Sequence, residues 1–153
     1  MALPDALSAC NMCVELMLGT ATTFTSYVDE LSVIDDVSST RMSGEAYVFG
    51  EDTAAVTFGK LEPMDITFRG VYTEGTTSPF YVLDAAHTTA CGGKAAIRWS
   101  PGGCITTNRS FRSSTTVAKL ISLTYPGGDS GSGDPLMYEA TIRTPDVTEA
   151  AWA

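Results

Sequence analysis

The sequence predicts a mainly β fold, a β-sandwich or open β-barrel with one flanking α-helix at about residues 79–91. Three observations predict it. About eight short runs rich in β-branched and aromatic residues alternate with clusters of Gly, Pro, Asp and Ser. A single stretch, from Pro79 onward, carries the three-to-four spacing of an amphipathic helix. At 153 residues the chain is long enough for one domain whose core buries roughly two thirds of the unfolded surface.

In chain order, residues 1–10 read as a terminal arm, and the apolar run Met12 to Leu18 reads as a first strand closed by Gly19. Thr20 to Thr25 is threonine-rich loop or strand start. Tyr27 to Ser38 sets Leu31, Val33 and Ile34 among Asp29, Glu30, Asp35 and Asp36, which predicts a strand with a carboxylate-rich exposed edge. Glu45 to Phe49 is a short strand interrupted by Gly50-Glu51-Asp52, and Ala54 to Phe58 resumes it across a bulge or hairpin.

The centre of the chain is strand, loop, helix, strand. Ile66, Phe68, Val71 and Tyr72 are β-formers. Ser78-Pro79 supplies an N-cap and a proline at the first helical position, where its missing N–H costs nothing. Phe80, Leu83, Ala86 and Ala90 make one apolar stripe, and Gly92-Gly93 tolerate the left-handed conformation that ends helices. Lys94 to Ser100 reads as a strand stopped by Pro101-Gly102-Gly103. Thr115 to Tyr125 and Leu136 to Arg143 are β-rich and predict a hairpin whose tip, residues 126–135, is Gly- and Ser-rich and flexible.

The net charge of −9 is carried by the first half: residues 1–75 hold twelve acidic and three basic side chains, residues 76–153 six of each. Such a chain is a poor ligand for nucleic-acid phosphates, whose binding needs cationic side chains. Basic Arg98, Arg109, Arg112 and Lys119 form a small cluster that suits acidic neighbours, so the acidic half of one copy meeting this patch on the next would steer self-assembly. Met1-Ala-Leu-Pro-Asp shows no signal-peptide pattern, and no apolar run reaches the length of a membrane span.

Two motifs invite a chemical reading. Ala85-Ala86-His87 and Gly128-Asp129-Ser130-Gly131 resemble the surroundings of the histidine and serine in chymotrypsin-like proteases. That mechanism also needs an acid to orient the imidazole and a rigid oxyanion hole. No Asp or Glu lies between His87 and Gly128, and Ser130 sits in a Gly- and Ser-rich tip, so no catalytic residue is expected. Cys10 and Cys13 have zinc-knuckle spacing, but Cys91 and Cys104 are thirteen positions apart and complete no knuckle. Small buried thiols are the expectation, with a Cys10–Cys13 or Cys91–Cys104 disulfide left open, and neither metal nor cofactor is called for. Asn108-Arg109-Ser110 matches a glycosylation sequon that has meaning only in an exported chain. Asp84 reads as solvated, and Trp99 and Trp152 as core or interface anchors.

Asp65-Ile-Thr-Phe-Arg-Gly-Val-Tyr-Thr-Glu-Gly, Pro79-Phe-Tyr-Val-Leu-Asp-Ala-Ala-His, and Ala95-Ala-Ile-Arg-Trp-Ser-Pro-Gly-Gly together resemble major tail tube proteins of long-tailed, siphovirus-like bacteriophages. Ala118-Lys-Leu-Ile-Ser-Leu-Thr-Tyr-Pro-Gly-Gly and Tyr138-Glu-Ala-Thr-Ile-Arg-Thr-Pro-Asp fit the same pattern, so the resemblance spans about residues 62–149. It implies a structural virion protein with one helix beside a β-sandwich or open barrel, six copies forming a ring and rings stacking into a hollow tail tube for DNA ejection. It implies partners as well: other copies of the chain, a tape measure protein and other tail proteins, with viral DNA passing the lumen unbound. Assembly in the host cytoplasm and residence in the virion tail follow from it.

An acidic lumen lets a phosphate backbone slide past. From charge asymmetry the lumen-facing candidates are Asp29, Glu30, Asp35, Asp36, Glu51, Asp52, Glu62 and Asp65. Two alternatives remain at the level of sequence. A tail terminator or baseplate ring protein of the same fold forms single rings, and a monomeric β-sandwich binding module shows a concave patch of Trp and Tyr.

Overall fold

Strand β6 (Met64–Val71) and strand β10 (Met137–Thr144) set the architecture, because both alternate with a period of two and pair in antiparallel register along their whole length. Met64, Ile66, Phe68 and Gly70 face the core opposite Thr144, Ile142, Ala140 and Tyr138, while Asp65, Thr67 and Arg69 face outward opposite Arg143, Thr141 and Glu139. The Tyr138 ring lies over Gly70: a Cβ there would come 2.5 Å from its hydroxyl. That hydroxyl is buried with no hydrogen-bond partner, and desolvation raises its pKa well above the usual phenol value.

The computed structural model describes residues 11–50, 52–89 and 91–153. The remaining elements are β1 (Cys13–Leu18), β2 (Thr25–Ser26), β3 (Leu31–Ile34), β4 (Arg41–Ala46), β5 (Ala55–Leu61), α1 (Pro79–Thr88), β7 (Ala95–Ser100), β8 (Arg109–Ser113), β9 (Lys119–Thr124) and β11 (Val147–Ala151). A five-stranded sheet runs β11-β8-β7-β1-β2 and a four-stranded sheet runs β3-β6-β10-β9, all antiparallel. Val14, Leu16, Ile97 and Trp99 of the first share one core with Ile66, Phe68, Leu120 and Ile142 of the second. Backbone bonds join the sheets at one corner, where the Ala95 amide donates to Ala118 O and Lys94 bridges Lys119. The mainly β fold with one helix is the one the sequence predicts. The Thr115–Tyr125 and Leu136–Arg143 runs pair as expected, as β9 and β10, across an irregular 126–135 connection.

Helix α1 begins as read, with Ser78 Oγ accepting from the Tyr81 amide at 3.4 Å and Pro79 following it. Leu83 and Ala86 are buried, and Phe80 meets the Tyr72, Tyr125 and Tyr138 rings at centroid distances of 5.2, 5.7 and 5.5 Å. Its end departs from the expected residue 91. Thr88 and Thr89 hydroxyls bond back to Asp84 and Ala85 carbonyls, Thr89 is extended, and Cys91 and Gly92 take positive φ values of 62° and 74°. The chain then folds back so that the Gly93 amide donates to Ala86 O at 2.8 Å, which ends the helix three residues early. Ala90, the last member of the apolar stripe, lies outside the described residues, as do the arm 1–10 and Cys10.

Other readings change with tertiary context. Tyr27–Ser38 holds one short strand, Leu31–Ile34, after a turn at residues 28–30, and Glu45–Phe49 shifts to Arg41–Ala46, leaving Tyr47, Val48 and Phe49 in the turn region of the hairpin. Strands β8 and β11 come from runs not read as strands. Asp84 is engaged, accepting from the Tyr125 hydroxyl at 2.6 Å. The cysteines pair otherwise than in either pairing left open: Cys13 on β1 and Cys104, in the loop after β7, form a disulfide with Cα atoms 5.3 Å apart, and Cys91 is free and exposed.

Candidate self-assembly surface

The segment between β3 and β6 leaves the two-sheet body. Among the described residues strands β4 and β5 pair only with each other, from Arg41 opposite Leu61 to Ala46 opposite Ala55, and every one of their residues is exposed. Side chains that ordinarily fill a core stand in solvent along it: Met42, Val56 and Leu61 on the strands, Phe58 at 76% exposure, and Tyr47 at 80% near the tip. Alternation puts Val56 and Phe58 on one face with Ser43 and Glu45, and puts Gly44, Thr57, Ala46 and Ala55 on the other, up to a register shift between Ser43 and Arg41. An isolated two-stranded hairpin is at best marginally stable in water, so this element calls for a partner.

At the hairpin's root the two sheets gape. A slit of about 460 Å³ opens there, lined by Ile34, Val37, Met64, Trp99, Phe111 and Val147, with Asp35, Asp36 and Glu149 at its rim. A second opening of about 370 Å³, between Val14, Val28, Leu31 and Phe68, shares Met12 and Ile34 with it. Both openings lie along the flank from which the hairpin departs.

The eight acidic candidates do not form one cluster. Asp29 and Glu30 lie on the turn before β3, where Glu30 accepts from the Thr73 hydroxyl at 3.4 Å. Asp35 and Asp36 follow β3, Asp52 lies near the hairpin tip, Glu62 joins β5 to β6, and Asp65 is on β6. Glu51 is outside the described residues. Two of the eight are neutralised on the outer face of the four-stranded sheet. Arg143 grips Asp65 with Nε at 2.7 Å and Nη2 at 2.9 Å, and its hydrogen bond, with its charge, holds that carboxyl below the usual range. Arg69 spans Glu139 at 2.7 Å and Asp35 at 3.4 Å. With Thr67 and Thr141 hydroxyls 3.0 Å apart between them, this face is a ladder of satisfied polar pairs.

The basic cluster read from sequence divides too. Arg98 is largely buried against Glu15, Arg109 is exposed and paired with Glu149 at 2.8 Å, Arg112 has no ion-pair partner among the described residues, and Lys119 donates to Gly92 O at 3.2 Å. His87 and Ser130 are on different elements, the last turn of α1 and the β9–β10 connection, and no hydrogen bond joins them. No cluster of three metal-ligating side chains occurs among the described residues, and no helix among them is long and apolar enough to cross a membrane. The functional feature that sequence reading missed is the length and isolation of the hairpin; its signal was Met42, Val56, Phe58 and Leu61 flanking the turn residues Gly50 and Asp52.

Neither a protein-family model nor a curated protein matches the sequence. Solved structures do match over nearly the whole chain. A chain in the six-fold symmetrised cryo-EM structure of the anti-feeding prophage baseplate is 14% identical with a TM-score of 0.76, over 99% of this chain and 98% of that one. A chain in the anti-feeding prophage tube-terminating cap is 19% identical with a TM-score of 0.72, over 99% and 95%. A chain in the tail of an empty gene transfer agent particle, refined helically with C6 symmetry, is 11% identical with a TM-score of 0.64, over 97% and 100%. The fold is one found in components of phage-like tails and injection systems.

Proposed function

We propose that this chain is a structural subunit that assembles with copies of itself into hexameric rings, stacked as the hollow tube of a phage-like tail. The observation that carries the reading is the β4–β5 hairpin, thirteen exposed strand residues bearing Met42, Val56, Phe58 and Leu61 with no covering element among the described residues. A heterologous contact made by such an arm closes into a ring when its rotation permits, and rings with complementary faces stack. The fold likeness to chains of six-fold and C6-symmetric assemblies supports the ring number. Free edges on β3 and β9 suit continuation of the four-stranded sheet from copy to copy.

In this reading the outer face of that sheet, with Asp65 and Asp35 held in arginine pairs, lines the bore, and Asp29, Glu30, Asp52 and Glu62 add further negative charge. DNA passes such a wall without adhesion, because like charge and satisfied polar groups offer it nothing to bind. A tape measure protein and other tail proteins are its partners, assembly takes place in the host cytoplasm, the virion tail is its location, and it performs no catalysis. A tail terminator or baseplate ring protein is the second reading, favoured by the TM-scores of 0.76 and 0.72 to the baseplate and cap chains.

Negative-stain electron microscopy and size-exclusion light scattering across a concentration series test both. Hollow tubes with a regular axial repeat are expected. Closed rings that never stack select the terminator or baseplate reading, and a strict monomer at every concentration overturns self-assembly.

A further inference from the structure

We infer that the Phe58 face of the β4–β5 hairpin of one copy seats in the slit between the two sheets of a neighbouring copy. This rests on the self-assembly reading and names the contact that it requires. Both halves are on each chain. The hairpin face offers Val56 and Phe58 as an apolar ridge, and Lys60 and Arg41 lie at the hairpin's root, Arg41 opposite Leu61. The slit offers Trp99, Phe111, Met64 and Val147 as an apolar floor, with three carboxylates at its rim. Of those carboxylates, Asp35 and Glu149 already pair with Arg69 and Arg109, while Asp36 is exposed and has no ion-pair partner among the described residues. Lys60 has none among them either. An apolar ridge with an unpaired lysine near its root and an apolar slit with an unpaired carboxylate at its rim are complementary in hydropathy, and Lys60 and Asp36 are complementary in sign.

The hairpin does not fill its own slit. Ser39 lines the slit, and Phe58 pairs with Ser43, so four residues of extended chain set Phe58 roughly 13 Å farther out. The ridge therefore reaches past its own slit toward the same slit on the next subunit. Donor and acceptor surfaces differ, which makes the contact head-to-tail and repeatable around a ring. An aromatic anchor buried in an apolar pocket with a rim charge pair is the arrangement that concentrates interface energy in a few residues.

The test is site-specific photocrosslinking in assembled material. Phe58→benzoylphenylalanine protein is mixed with isotope-labelled wild-type chain, assembled, irradiated and mapped by mass spectrometry. Crosslinks from position 58 to residues 34–39, 64, 99–101, 111 or 147–149 of the labelled copy are expected. Crosslinks in assembled particles to other segments, or only within one chain, overturn the seating while leaving self-assembly intact; wild-type chain that never assembles overturns both. If the photoreactive variant alone stays monomeric, charge reversal decides. Lys60→Glu is expected to raise the concentration needed for assembly several-fold, and Asp36→Lys combined with Lys60→Glu to restore it. An unchanged threshold in Lys60→Glu, or no restoration in the double variant, overturns the seating.

Discussion

The Arg98 guanidinium lies 4.2 Å from the centroid of the Trp152 ring, which is 5% exposed although it is the penultimate residue of the chain. The same guanidinium donates to Glu15, from Nε at 3.0 Å and also from Nη2, and faces Phe24 at 5.0 Å. One arginine thus ties β7 to β1, to the loop before β2 and to the C-terminal end. Breaking a largely buried ion pair by removing one partner leaves the other charge desolvated and costs about 3–5 kcal/mol. Arg98→Met is expected to lower urea unfolding stability by about 3 kcal/mol. Arg98→Lys keeps the charge but loses the planar fork and the stacking, and falls between.

Joining Cys13 to Cys104 closes a 91-residue separation and pins the loop after β7 to the start of β1. Cys104→Ser is expected to cost about 2–4 kcal/mol, chiefly by releasing the unfolded chain. Reductant should shift the wild-type melting temperature down toward that of the variant, while Cys91→Ser leaves it unchanged. Equal melting of wild type and Cys104→Ser would count against the staple.

Gly93 meets the backbone of Ala86 so closely that an added Cβ overlaps the Ala86 carbonyl. The hydrogen bond closing α1 depends on that approach. Gly93→Ala is expected to lose about 1–3 kcal/mol, read by thermal unfolding, because backbone has to shift to make room. Gly92→Ala probes the positive φ of 74° separately from the overlap.

Asp65 titrates below the usual carboxylate range because Arg143 donates to it in a fork, helped by the cation's charge and opposed by desolvation. A lowered folded-state pKa makes the pair's contribution complete above the unfolded value near 4 and lost as pH falls through the lowered one. Both side chains are about half exposed, so screening keeps the effect under about 1 kcal/mol. Asp65→Asn should unfold with less acid dependence below about pH 4 than wild type and match it more closely in high salt.

Phe58 at 76% exposure contributes little to the two-sheet core. Phe58→Ser is expected to leave the unfolding free energy within about 0.5 kcal/mol and to abolish assembly at concentrations where wild type assembles. Light scattering and circular dichroism on one sample separate the two effects.

Much of the fold was legible because its signals are local. The alternation along Met64–Val71 and Met137–Thr144, the Ser78-Pro79 cap and the glycines after the helix each act within a few residues. Strand β8 was not legible because Arg-Ser-Phe-Arg-Ser lacks the apolar alternation of a strand. Its place depends on serine hydroxyls bonding distant backbone: Ser110 to Ala150 O, Ser113 from the Ile97 amide, and Ser100 to Arg109 O, each at 2.9 Å. Strand β11 ends in Glu-Ala-Ala, a poor β-former, and exists because β8 offers it an edge. The acidic asymmetry of the first half was visible in the sequence. That Arg143 and Arg69 would come from 78 and 34 positions away to pair with Asp65 and Asp35 was not, since register between distant strands decides it.

Assembly through the exposed hairpin would couple part of the secondary structure to mass action. A two-stranded ribbon with both faces in water has little free energy of its own, so under the proposed assembly β4 and β5 become more ordered as neighbours become available. Amide exchange there should slow as subunit concentration rises, while exchange in β6 and β10 stays fixed. If copies assemble through this stretch of chain, its folding equilibrium carries a concentration term that the rest of the domain lacks.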